Sequence, residues 1–121
     1  MSVEEHLERA RKQLQRVQAA WDPPEWSDLS LYGFYCLENA VMAAARHTGI
    51  DLQKSHPSKA NAATQLAVSA GLPDVSNLLR QLNDARKAEA YGDVERPALD
   101  AEDLVRQIEE YVLAVEALVA H

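Results

Sequence analysis

Apolar residues recur along the chain with the period of an α-helix, and five segments carry that period. In the first, from about Ser2 to Ala20, Val3, Leu7, Ala10, Leu14, Val17 and Trp21 make a narrow seam between charged flanks, as in a bundle helix. Asp22-Pro23-Pro24-Glu25 ends it, because proline has no amide donor and disfavours helix in the residue before it. The second is expected over Ser27 to Thr48, with Ser27 or Asp28 as N-cap and Gly49 as the stop. A loop from Ile50 to Pro57 leads to a third, Ser58 to Ala70, packing through Ala63, Leu66, Ala67 and Ala70. Gly71-Leu72-Pro73-Asp74 interrupts the pattern. Asp74 then caps a fourth helix, Val75 to Tyr91, which Gly92-Asp93 ends. Asp100 caps the last, whose face carries Leu104, Val105, Ile108, Tyr111, Val112, Val115, Leu118 and Val119.

The second helix differs from the rest. Between Leu31 and Ala45 only Glu38 and Asn39 are strongly polar. Leu29, Tyr32, Cys36, Ala40 and Ala43 form one stripe; Leu31, Tyr35, Met42 and Ala45 form another on the opposite side. A helix apolar all round is buried all round. In a chain this short, that predicts cover from its own bundle and from a second subunit, hence a two-fold homodimer through this helix. Short connections between successive helices predict an all-α, antiparallel up-and-down bundle of about five helices, with residues 1–121 as one domain.

Composition agrees and narrows the function. Four Gly, five Pro and few β-branched runs suit an all-helical chain. A net charge of −7 argues against a protein that coats DNA or RNA through a broad basic face, while leaving room for a local basic site. The lone Cys36 excludes an intrachain disulfide and a cysteine metal site. No apolar run reaches membrane-spanning length and early charges interrupt any leader pattern, so a cytoplasmic protein without membrane contact is expected.

Two charges stand on faces that ought to be apolar. Val75, Leu78, Leu79, Leu82, Ala85 and Arg86 share one stripe of the fourth helix. A guanidinium does not lose its proton, so it needs an acceptor there, waits for an anionic ligand, or reaches out from the core edge. Glu38 lies at the centre of the second stripe, either as a structural ion pair, as an exposed group, or as an acid/base partner of Arg86. Lys54, His56 and Lys59 form a small basic cluster that could complete a phosphate site if the loop folds near Arg86. His6, His47, His56 and His121 fall on different segments without bundle di-metal spacing, so no metal and no cofactor is expected. There is no phosphate-cradling glycine loop, serine elbow or cysteine–histidine signature.

Tyr35-Cys36-Leu37-Glu38-Asn39-Ala40-Val41 and the run from Leu82 to Asp93, with the helix order, resemble the HEPN superfamily over roughly residues 27 to 120. These are small helical bundles of prokaryotic toxins, defence systems and nucleotidyltransferase-associated modules. RNase members carry an arginine, four to six residues, then a histidine near a helix end, with a polar residue from an earlier helix. The resemblance implies Arg86 as that arginine, binding phosphate, and Glu38 as the earlier polar residue. Lys87 takes the polar place after the arginine, and Arg80 and Asn39, read from the residues, are further candidates for ligand binding. The histidine is replaced by Tyr91, a poor base at neutral pH, left to donate a hydrogen bond or contact a base. The expected function is therefore an RNA- or nucleotide-related role in a toxin–antitoxin or defence setting, without full RNase activity. The alternative is a non-catalytic interaction bundle that partners a nucleotidyltransferase-like or other protein.

Overall fold

A computed structural model describes residues 1–92 and 95–121. Among them are five helices and no strand: α1 (Val3–Ala19), α2 (Trp26–Thr48), α3 (His56–Ala70), α4 (Ser76–Tyr91) and α5 (Ala101–Val119). The all-helical class read from the sequence is correct.

Local chemistry sets several helix ends as expected. At α1 the Ser2 hydroxyl accepts the Glu5 N–H while the Glu5 carboxylate accepts the Ser2 N–H, both at 3.1 Å. At α5 the Asp100 carboxylate accepts the Asp103 N–H at 3.1 Å. Gly49, Gly71 and Gly92 end α2, α3 and α4 with positive φ, which a Cβ would penalise. Asp93, the other half of the expected stop after α4, lies outside the described residues.

Three helix starts differ from expectation. α2 opens at Trp26 rather than at a Ser27 or Asp28 cap, and Glu25 caps it without a side-chain bond. The cause is tertiary. The Arg96 guanidinium lies 4.5 Å from the centre of the Trp26 ring and pairs with Glu89 at 3.3 Å. The other Glu89 oxygen accepts from the Ser27 hydroxyl at 3.4 Å, so Trp26 and Ser27 are held in the first turn. α3 begins at His56, two residues before the expected Ser58, because the Ser55 hydroxyl accepts the Ser58 N–H at 3.2 Å and proline suits a first turn. Asp74 does accept an N–H at the start of α4, from Ser76 at 2.9 Å, but from one place further out, with Val75 in the cap position.

α2 is the axis of the bundle and packs against all four other helices. Phe34, Cys36, Leu37, Ala40, Val41, Ala43, Ala44 and Ala45 are buried there, each large one contributing about 1.5–3 kcal/mol of hydrophobic stabilisation. Much of the apolar surface of α2 is thus covered within one chain. Among its large apolar side chains, Trp26, Leu31, Tyr32, Tyr35 and Met42 stay part-exposed. Helix α5 approaches closely at Gly33, where an added Cβ would lie 3.2 Å from Ile108 Cδ1. The Cys36 thiol donates to the Ala10 carbonyl at 3.2 Å, and burial pushes its pKa up to about 12, so it packs rather than reacts. No described helix is long and apolar enough to cross a membrane.

Candidate functional site

The carboxylate of Glu38 is buried in mid-α2, only 2 % exposed. Such a group must find partners, because leaving it bare costs several kcal/mol. The first two turns of α3 supply them. His56 Nδ1 stands 2.6 Å from Glu38 Oε2, and Lys59 Nζ stands 3.6 Å from Oε1. Residues three apart on a helix share a face, which is how one carboxylate meets both. A carboxylate against Nδ1 makes that nitrogen the donor, so a neutral ring presents Nε2 as an acceptor. Among the described residues nothing bonds to Nε2.

Arg86 is half-buried on α4 and meets no carboxylate among the described residues. One of its terminal nitrogens donates to Asn83 Oδ1 at 2.6 Å. The guanidinium carbon lies 5.0 Å from the Phe34 ring centre and 5.6 Å from that of Tyr35, distances at which a cation is drawn to an aromatic face. Its Nε is buried with no partner among the described residues. Four of five N–H donors are therefore uncommitted within the described chain.

Phe34 links the two charges. His56 packs edge-on against it with ring centres 5.0 Å apart, while Arg86 lies over the same ring. Beside them a cleft of about 260 Å³ opens between α2, α3 and α4, bordered by Phe34, His56, Arg80, Asn83 and Asp84. Arg80 reaches Asn61 at 3.4 Å along its rim.

The residues singled out in the sequence are thus distributed unevenly. Glu38 and Arg86 do not touch; Phe34 and His56 stand between them. Arg80 borders the cleft. Lys87 is exposed on α4, and Tyr91 is 73 % exposed at its end. Asn39 is buried and committed elsewhere: its Oδ1 faces His6 Nδ1 at 3.1 Å, and its amide nitrogen donates to Gln13 and to the Tyr35 carbonyl, each at 3.0 Å. Burial holds His6 below its usual pKa range, although the Asn39 bond opposes the shift. Among the described residues, no three His, Cys, Asp or Glu side chains gather to hold a metal ion. Sequence reasoning missed Phe34 and the pairing of His56 with Glu38. The available signal was that a lone carboxylate in an apolar helix needs a basic partner, and the nearest basic cluster is Lys54, His56 and Lys59.

The chain matches no known family model and no curated protein.

Proposed function

We propose that the chain is a HEPN-like, antiparallel bundle acting on RNA or on a nucleotide, in a toxin–antitoxin or defence setting in the cytoplasm. The observation that carries this reading is the shared Phe34 ring, which bears an oriented histidine on one side and an uncommitted guanidinium on another. A phosphate in the cleft meets Arg80 at the rim, and Arg86 after a small movement off Asn83. Guanidinium donors suit its oxygens.

His56 then takes the role that Tyr91 cannot. Its Nε2 accepts the proton of a ribose 2′-hydroxyl while Glu38 steadies the imidazolium that forms. The 2′-oxygen attacks phosphorus, the bond to the 5′-oxygen breaks, and that oxygen leaves with a proton from water. A 2′,3′-cyclic phosphate and a 5′-hydroxyl result. The guanidiniums offset the charge that builds on the phosphoryl oxygens. A homodimer through α2 belongs to the same reading, using the part-exposed Leu31, Tyr35 and Met42.

Induced expression in a bacterial host tests this, comparing wild type, Arg86→Ala and His56→Ala for growth and total RNA integrity. Arrest with RNA damage in wild type, lost in both variants, is the expected result. Intact RNA and normal growth with all three would favour the interaction bundle instead.

A further inference from the structure

A second concavity shares no lining residue with the cleft. It measures about 380 Å³ and is formed by His6 of α1, Arg46 at the end of α2, Asp51, Leu52 and Lys54 of the following connection, and Lys59 of α3. Three cations thus stand against two carboxylates, Asp51 on the lining and Glu38 behind Lys59, in a chain of net charge −7. Neither Arg46 nor Lys54 has an ion-pair or side-chain hydrogen-bond partner among the described residues. Lys59 is only 14 % exposed, and its ammonium sits 3.6 Å from Glu38, beyond hydrogen-bond reach. The short bond of that carboxylate goes to His56, so Lys59 pairs with it by charge and keeps its ammonium N–H donors for a further acceptor.

His6 adds selectivity. The Tyr35 carbonyl can only accept, which fixes the Asn39 amide nitrogen toward it and turns Oδ1 to His6. His6 Nδ1 must therefore donate, and the neutral ring leaves Nε2 as an acceptor without a partner among the described residues. A pocket with three cationic donors and one neutral acceptor suits an anion that carries a hydroxyl group.

We propose that this pocket binds a phosphate ester with a neighbouring hydroxyl, Arg46, Lys54 and Lys59 holding the phosphate and His6 accepting from the hydroxyl. The site is separate from the cleft beside Phe34 and His56 and stands whether or not that cleft acts on RNA.

Amide chemical-shift titrations of the full chain with inorganic phosphate, ribose 5-phosphate and a ribodinucleotide test it. Saturable shifts at Arg46, residues 50–54 and Lys59 are expected, with ribose 5-phosphate binding more tightly than inorganic phosphate. Arg46 and Lys54 lie on the surface, so the double variant Arg46→Ala/Lys54→Ala keeps the fold and should weaken ribose 5-phosphate binding at least tenfold. Arg86→Ala should leave it within twofold. A ribodinucleotide that binds more tightly than ribose 5-phosphate assigns the site to an RNA backbone; one that binds more weakly assigns it to a free phosphate ester. Absence of saturable shifts at these residues, or unchanged affinity in the double variant, overturns the site. Equal affinity for inorganic phosphate overturns the role of His6.

Discussion

Around Glu38 the bundle supplies a basic partner for each carboxylate oxygen, both from the start of α3. Around Arg86 the described residues supply one neutral acceptor and two aromatic rings, and none of them bonds to Nε. Both charges interrupt apolar faces, so the sequence pattern treats them alike. Their surroundings separate a charge paired with opposite charges from one that meets only a neutral acceptor and aromatic faces among the described residues. A carboxylate enclosed with its partners locks α2 to α3. A guanidinium on aromatic faces gives up little when it turns to a ligand.

Removing each charge is the direct way to break that comparison. Glu38→Ala should cost the most, about 2–4 kcal/mol of unfolding free energy in urea, because it strands Lys59 in a nearly enclosed site. A loss well under about 1 kcal/mol, the range of ordinary surface changes, would mean the pair is not structural. Arg86→Ala should cost only about 1 kcal/mol, the scale of one cation–π contact and one hydrogen bond. A loss as large as that of Glu38→Ala would make Arg86 an anchor and remove the distinction.

The polar groups of the neighbouring α1–α2 contact sharpen it further. His6 is buried with its pKa lowered, so near and below about pH 6.5 the unfolded chain binds a proton that the folded chain resists. Stability from this group is complete above that pH and falls as pH drops toward the lower folded value. Urea midpoints measured across that window should show the slope in wild type and lose it in His6→Gln.

The smallest effect is expected at Tyr111. Among the described residues its hydroxyl is the other buried side-chain polar atom without a partner, and burial raises its pKa. It is packed in the core of α5 with no cleft beside it among those described. Tyr111→Phe should change stability by no more than about 0.5 kcal/mol in a thermal melt, and function not at all. Tyr111 thus lacks what the Arg86 region has nearby, a cleft reached through Phe34 and Asn83.

Much of the architecture was legible from the sequence. Five helices, their glycine stops and the Asp100 cap follow from periodicity and local chemistry. The start of α2 was off by one residue, and its first turn meets Arg96 and Glu89, distant contacts that no local pattern encodes. The site was half legible for the same reason. Arg86 and Glu38 stand out as charges in apolar stripes, and helical periodicity is enough to find them. That Glu38 turns to His56 and Arg86 to Phe34 depends on how α3 and α4 pack on α2, which no local pattern encodes. Asn39 looked like a companion of Glu38, yet the next position on a helix faces another way, and it joins His6.

The most direct test is incubation of the purified protein with a short single-stranded RNA, following product ends for wild type, His56→Ala and Glu38→Gln. Cleavage that leaves 2′,3′-cyclic phosphate ends, abolished in His56→Ala and strongly reduced in Glu38→Gln, is the predicted result. Cleavage that persists in His56→Ala, or an RNA left intact by wild type, would contradict the account.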